Sequence, residues 1–444
     1  MQPRSSRDIA VTTAPGSSRA IGLWTAVALV MGNMIGSGVF LLPASLAPFG
    51  GLALGGWAVS TVGAVLLALV FARLSRFNPA TGGLYAYTRD AFGEVPGFLV
   101  AWGYWISVIC GDAALAVAFV GYLHPFVPAI VDKPAAAALL AVGVVWVLTF
   151  VNIAGIRKAG QVQIVTTAIK IVPLVVIGAI GLIHFNGAHF ALADTSVSAV
   201  AGGITASATL TLFAMLGVEC ATIPAGDVQD ADRTIPRATV VGTVLTAAIY
   251  IVSTVGLMSL VAPDALSHST APFADAARLL GGDGFAAVIA IGAAISCFGA
   301  LNGWILIVGQ LPLATARDGL FPAVFARMSS RGTPSAGLVI AASLTTALIA
   351  MNYSRGLVQL FTFMILLATL STLVPYAFCS LAAFMLQRQD PRMRLNAGGA
   401  LVCAGAFAYS LWAIGGAGAD VVYWGFLLLL AGLPVYVYVR RARR

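Results

Sequence analysis

Three ionisable side chains, Asp112, Lys170 and Glu219, stand inside long apolar runs of this 444-residue chain. A charge at the centre of a membrane helix costs about 2.5–3.5 kcal/mol on insertion scales, so each of the three should face a cavity or a partner. Two uses fit such groups. Asp112 and Lys170 can pair and lock helices together, or each can hold an ion, a proton or a charged ligand. Trp304, in Asn302-Gly303-Trp304, is an indole at membrane depth that either fills the core or walls a site for a cationic or apolar ligand.

Backbone groups are the second source of chemistry. Met31-Gly32-Asn33-Met34-Ile35-Gly36-Ser37-Gly38-Val39-Phe40-Leu41-Leu42-Pro43 carries three glycines and a proline within an apolar run. Glycine weakens a helix and admits positive φ, so the cluster predicts an unwound break with bare N–H and C=O groups. At membrane depth such groups are tolerated only where they line a cavity or bind something, which is the pattern of a discontinuous helix in a secondary transporter. Close packing of helices through small residues is the alternative reading of the same glycines. A second stretch, Leu212-Phe213-Ala214-Met215-Leu216-Gly217-Val218-Glu219-Cys220-Ala221-Thr222-Ile223-Pro224-Ala225, repeats the offset: with Gly217 set on Gly36, Pro224 falls on Pro43 and Ala225 on Ala44.

Positioning these groups needs a membrane-embedded helical frame. The chain is 60% hydrophobic and 9% charged, with mean hydropathy +0.96, a composition no soluble globular class has. Runs of roughly 20 apolar residues, each long enough to cross a bilayer, place twelve spans near 21–48, 51–74, 95–123, 134–153, 161–184, 198–225, 236–262, 285–312, 335–353, 358–387, 395–415 and 421–439. With residues 1–20 read as a cytoplasmic tail and not a signal peptide, 20 of the 24 Lys and Arg fall on the cytoplasmic side. Only Lys133, Arg278 and Arg355 fall outside, and Lys170 lies within a span. That asymmetry supports the count and puts both termini in the cytoplasm. It also makes the net charge of +8 a matter of topology, with no nucleic-acid partner implied. The connection 262–283 is expected to hold a short surface helix that acts as an outer lid. The five cysteines, Cys110, Cys220, Cys297, Cys379 and Cys403, all lie in apolar segments without metal-ligand spacing.

If the first five spans and the next five are repeats, the odd number inverts the second against the first, and the two breaks meet at the midplane. The expected organisation is a tail at 1–20, a first repeat at 21–184, a second at 198–387, and two further helices with a basic terminus at 395–444.

At this point the chain resembles the amino acid–polyamine–organocation transporters, in particular their basic amino acid/polyamine antiporter branch. The resemblance rests on Gly36-Ser37-Gly38-Val39-Phe40-Leu41-Leu42-Pro43-Ala44, Gly82-Gly83-Leu84-Tyr85-Ala86-Tyr87, Gly217-Val218-Glu219, Ile235-Pro236-Arg237-Ala238, Asp318-Gly319-Leu320-Phe321-Pro322 and Leu373-Val374-Pro375-Tyr376. It implies an all-α integral membrane fold of 12 helices, a LeuT-type 5+5 inverted repeat with discontinuous helices 1 and 6, often as a homodimer. It further implies that the Gly36-Ser37-Gly38 backbone receives a substrate carboxylate and carbonyls near the two breaks an α-ammonium, which agrees with the opposite polarity of half-helix ends. By the same resemblance Met31, Gly32, Ile35, Ser107, Val108, Asp112, Phe213, Leu216, Gly217, Trp304 and Ala368 surround the substrate. Glu219, Lys170, Tyr104 and Tyr376 serve gating and proton coupling.

The departures are informative. Where the branch's arginine/agmatine exchanger has a tryptophan gate this chain has Phe213, Met31 and Ala368 replace its serines, and Asp112 replaces an asparagine. Lys170, seven residues after Gln163, resembles a lysine of sodium-independent members of the wider superfamily, where an ammonium takes the place of a sodium ion. The reading is a multi-pass transporter of the bacterial-type inner membrane that carries an amino acid or polyamine by alternating access, cationic, by exchange or with proton coupling. A neutral amino acid carrier follows instead if Asp112 pairs with Lys170, and a sensor on a transporter fold is the alternative of another class. No enzyme is expected, since no cofactor motif, His/Cys cluster or phosphate loop is present. The partners are a small-molecule substrate and the lipid bilayer.

Overall fold

The computed structural model describes residues 20–441 except 80, 193, 270, 353–356, 388–392 and 417–418, and at 352, 357–367, 369–370 and 420–421 the backbone alone. The tail before residue 20 and Arg355 lie outside the described residues. Among those described, the chain is helical throughout, and its only extended pairing is an isolated parallel bridge between Ile21 and Val228.

The first apolar run divides into α1 (Leu23–Met34) and α2 (Gly38–Leu46), bent by 43° across Ile35–Ser37. The chain then runs through α3 (Leu52–Phe77), the short α4 (Leu84–Phe92), α5 (Glu94–Tyr122), the single turn α6 (Pro128–Val131), α7 (Pro134–Ile153) and α8 (Ile156–Ile183). The second half comprises α9 (Val197–Ala214), α10 (Ala231–Leu260), α11 (Pro263–Ser267), α12 (Pro272–Arg317), α13 (Ser335–Asn352) and α14 (Leu357–Leu386). It ends in α15 (Ala397–Gly416), α16 (Ala419–Leu430) and α17 (Leu433–Arg441). Pro128, Pro134, Pro263 and Pro272 open their helices, where a missing N–H costs nothing.

Among the described residues nine helices are long and apolar enough to cross a hydrocarbon core, or ten with the bent pair α1/α2 counted as one span. α13 and the described part of α14 are shorter apolar helices at the ninth and tenth expected positions. α5 packs along both α12 and α14, α10 along α3 and α8, and α8 along α12, with α1 enclosed among α8, α10 and α12. Leu139, Val147 and Phe150 of α7, Ile183 of α8 and Trp424 and Phe426 of α16 point outward. An apolar exterior over a core that holds the charges is what a bilayer solvent requires.

Two differences from the sequence reading bear on the site. The sixth span, 198–225, was expected to break near Gly217 as a discontinuous helix; α9 stops three residues before it, at Ala214, and the chain goes on not as a second half-helix but through turns and 3-10 segments at Cys220–Thr222 and Ala225–Asp227. The 262–283 connection does hold a short helix, α11. Its second half is the start of α12, which kinks at Gly281 and Gly282. That segment lays Phe273 edge-on against Phe40 of α2, with ring centroids 5.3 Å apart.

Contacts between loops define the two ends of the bundle. At one, which we call the tail end, Ile21 meets Val228, Tyr85 meets Asp318, and Arg73 bonds the backbone of Arg394. At the other, Gly51 bonds the backbone of Phe190, and His189 that of Met258.

Candidate functional site

The break between α1 and α2 frees backbone carbonyls that a continuous helix would satisfy, and side chains from three other helices reach in to bond them. Lys170 Nζ of α8 donates to Gly32 O (2.5 Å) and Ile35 O (2.6 Å). Trp304 Nε1 of α12 donates to Asn33 O (3.2 Å), Tyr250 OH of α10 to Met34 O (2.6 Å), and Ser296 Oγ to both Ile35 O and Gly36 O (3.2 Å each). A buried carbonyl left without any such partner would cost about 1–3 kcal/mol. The ammonium of Lys170, fully buried, is the only charge among these donors.

Glycine serves this break by leaving room, not by positive φ. A Cβ on Gly32 would lie 1.8 Å from Gln163 Nε2 and 2.6 Å from Thr167 Oγ1, whereas one on Gly38 would lie 3.2 Å from the Phe213 ring. None of Gly32, Gly36 and Gly38 has positive φ. The second break is the one that needs the left-handed region: Gly217 has φ +110, and its Cα faces Asn33 and Met34, so the two breaks touch.

Two residues beyond Gly217, the fully buried Glu219 receives one phenol on each carboxylate oxygen, Tyr104 of α5 on Oε1 and Tyr376 of α14 on Oε2. The Tyr376 hydroxyl also accepts the Gly217 amide (3.2 Å), so one oxygen joins the carboxylate to the break. Thr222 Oγ1 and N return to the Glu219 carbonyl at 2.7 and 2.8 Å.

Between the breaks lies a cavity of about 80 Å³, room for several waters or a slender small molecule. Gly36, Ser37 and Gly38 bound it on one side, Phe213, Ala214 and Leu216 on another, with Ser107 and Val108 of α5, Ala368 of α14 and the Trp304 ring completing the wall. The amides of Ser37, Gly38 and Val39 precede the first hydrogen bond of α2, Phe40 N to Ser37 O, so this wall presents donors. Among the described residues no donor reaches the carbonyls of Ala214, Met215 and Leu216 at the end of α9, so the opposite wall presents acceptors. The Ser107 hydroxyl is held by Ala368 O (2.7 Å) and Thr372 Oγ1 (2.8 Å).

The other expected residues stand around this cavity. Met31, Gly32, Ile35, Gly217, Lys170, Glu219, Tyr104 and Tyr376 form a second layer that holds the breaks without lining the cavity. Asp112 follows Gly111, which lines it, but does not itself line the wall; its carboxylate is buried, with Oδ1 lacking any partner. Asp112 and Lys170 form no ion pair; the ammonium bonds the carbonyls of the first break instead. Sequence reading missed Asn33, which lines the cavity with Nδ2 buried and unpartnered, and missed Gln163, Asn302, Ser296 and Tyr250. Asn33 was in view as part of the glycine stretch. Its amide at membrane depth was the available signal.

Comparison with known proteins gives the family. The chain is 36% identical over 371 residues to the cadaverine/lysine antiporter of Escherichia coli (strain K12), covering 82% of each chain. It is 30% identical over 424 residues to the putrescine transporter PotE of Haemophilus influenzae, covering 95% of this chain and 97% of that one. It is 29% identical over 422 residues to PotE of Escherichia coli (strain K12), covering 94% and 96%. A family model described as "Amino acid permease" matches residues 21–431. Since that match takes in both helix breaks, Lys170, Glu219 and the whole cavity wall, the chain belongs to the amino acid permease family.

Proposed function

We propose that this integral membrane protein exchanges a cationic amino acid for an aliphatic diamine by alternating access, without sodium. The observation that carries the reading is the polarity of the cavity: amide donors of α2 on one wall and free carbonyls of α9 on the other suit the carboxylate and ammonium of an amino acid. Phe213, Leu216, Val108 and Trp304 then flank an alkyl chain, and the ring faces favour a cation at its end. Asp112, buried without a partner one residue beyond the wall, is the group we assign to that distal charge. The names of the antiporter and putrescine-transporter relatives support a basic substrate.

Lys170 does the work of a structural cation, and Glu219 that of the coupling group. Proton uptake on Glu219 would remove the acceptor that aligns the Tyr104 and Tyr376 phenols. Through the Tyr376 oxygen the change reaches the Gly217 amide and so the second break. A twelve-span, 5+5 inverted arrangement with both termini cytoplasmic is part of the same proposal, supported by the two touching breaks and by the basic residues gathered at the tail end.

The test is exchange in proteoliposomes loaded with lysine, ornithine, arginine, cadaverine, putrescine, agmatine or a neutral amino acid, against radiolabelled lysine outside. Exchange driven by basic amino acids and diamines, equal in sodium and choline buffers, is expected. Exchange supported only by neutral amino acids would refute the substrate class, and no exchange with any of them would point to a sensor.

A further inference from the structure

The segment 81–89, which leads into and forms most of α4, bridges the Glu219 loop and the tail-end terminus of α12. On one side Gly82 N donates to Ile223 O (3.0 Å) and Gly226 N donates to Thr81 Oγ1 (3.2 Å). Gly83, at φ +44, lies so close to this loop that a Cβ would stand 2.4 Å from Thr222 Oγ1, the hydroxyl that bonds the Glu219 carbonyl. On the other side a Cβ on Gly82 would lie 2.9 Å from Ala314 of α12. Four residues past Ala314, immediately after the end of α12, Asp318 closes the contact: it accepts Tyr85 OH at 2.8 Å and pairs with Arg89. The Arg89 guanidinium also stands 5.3 Å from the Tyr85 ring and pairs with Asp90. The loop so held is continuous with Val228, whose bridge to Ile21 ties it to the start of α1.

We propose that Arg89, Asp318 and Thr81 are positioning residues of a latch that holds the Glu219 loop and the start of α1 closed at the tail end. The proposal rests on the reading of Glu219 as the coupling group, and it adds a second clamp on the same loop. The two phenols grip the Glu219 side chain from α5 and α14, while the 81–89 segment grips residues 222–226 from below. Opening toward the tail end breaks both, so the Arg89–Asp318 pair sets the balance between closed and tail-end-open forms. Because the pair is part-exposed, its loss shifts a population and leaves the fold intact.

The test uses purified full-length protein in detergent, with the five native cysteines replaced by alanine and Thr25→Cys as reporter. Thr25 lines a small cleft between α1, α8 and α12 at the tail end, and movement of α1 would expose it. Arg89→Gln and Asp318→Asn should each raise the labelling rate with an impermeant maleimide about fivefold, equivalent to about 1 kcal/mol. The charge-reversed double variant Arg89→Asp/Asp318→Arg should return it toward the starting value. Thr81→Val, which removes one clamp without touching a charge, should move labelling in the same direction at unchanged thermal midpoint. Unchanged labelling in the single variants would overturn the latch, as would a shared loss of thermal stability that charge reversal does not repair. Labelling needs no transport, whereas exchange by Glu219→Gln reads the coupling role directly, so either idea can fail without the other.

Discussion

Asp112→Asn is the substitution with the most to decide, because it keeps the side-chain shape and removes the charge. In the structure Asp112 is 2% exposed, Oδ1 has no partner, and Lys170, the buried cation the sequence offered as its counter-ion, is committed to Gly32 and Ile35. Two effects of opposite sign follow. Without ligand the variant should be more stable, since a buried carboxylate costs more than a neutral amide in the same place, by about 1 kcal/mol or more. With a dibasic ligand it should lose a charge-assisted hydrogen bond, worth about 1.5–3 kcal/mol, which weakens binding about 10- to 150-fold. Neutral amino acids should bind the two proteins alike. The assay measures thermal midpoints of the purified protein alone, with lysine or cadaverine, and with leucine, beside equilibrium binding of the same ligands. A variant that is less stable and weaker for every ligand would refute the reasoning, because it would mean that the carboxylate is structurally paired. Unchanged affinity for the diamine would remove Asp112 from the substrate site.

Other expectations are simpler to read. Lys170→Ala strips the Gly32 and Ile35 carbonyls of a charged donor, so it should lower the thermal midpoint and make that midpoint respond to sodium, which wild type should ignore; equal midpoints in sodium and choline for the variant would count against the cation role. Gly38→Val should abolish substrate binding while leaving an inserted, folded protein, since the added atoms enter the space between the α2 amides and Phe213; retained wild-type affinity would place the carboxylate elsewhere. Gly32→Ala, by contrast, should fail by destabilisation, about 1–3 kcal/mol from overpacking against Gln163 and Thr167, measurable as a lower midpoint with ligand affinity kept in the folded fraction. Tyr376→Phe should slow exchange more than Tyr104→Phe, because it also releases the Gly217 amide; equal effects would argue against the relay through that oxygen.

What the sequence determined by itself was the set of exceptions to an apolar background. In a chain that must satisfy its backbone in lipid, a glycine cluster and an ionisable residue inside a span each carry a cost that only a site or a partner offsets, so Gly32, Gly36, Gly38, Asp112, Lys170 and Glu219 stood out by residue type alone. The split of α1 from α2 at Ile35–Ser37 followed from that logic. The partners did not. Whether Lys170 met Asp112 or backbone carbonyls depended on where α8 lies against the first break, and a one-dimensional spacing holds no distance between helices. Tyr250 and Ser296 were hidden for the same reason, since a hydroxyl in a span is cheap enough to pass as core, and Trp304, legible as a wall, gave no sign of the N–H bond it makes to Asn33 O. The second break near Gly217 was legible from its match to the first, but the end of α9 at Ala214 and the turns and 3-10 segments that follow were not, because that continuation is as apolar as a helix. Composition selects residues by their cost in lipid, and tertiary packing alone decides which group, reaching across from another helix, meets that cost.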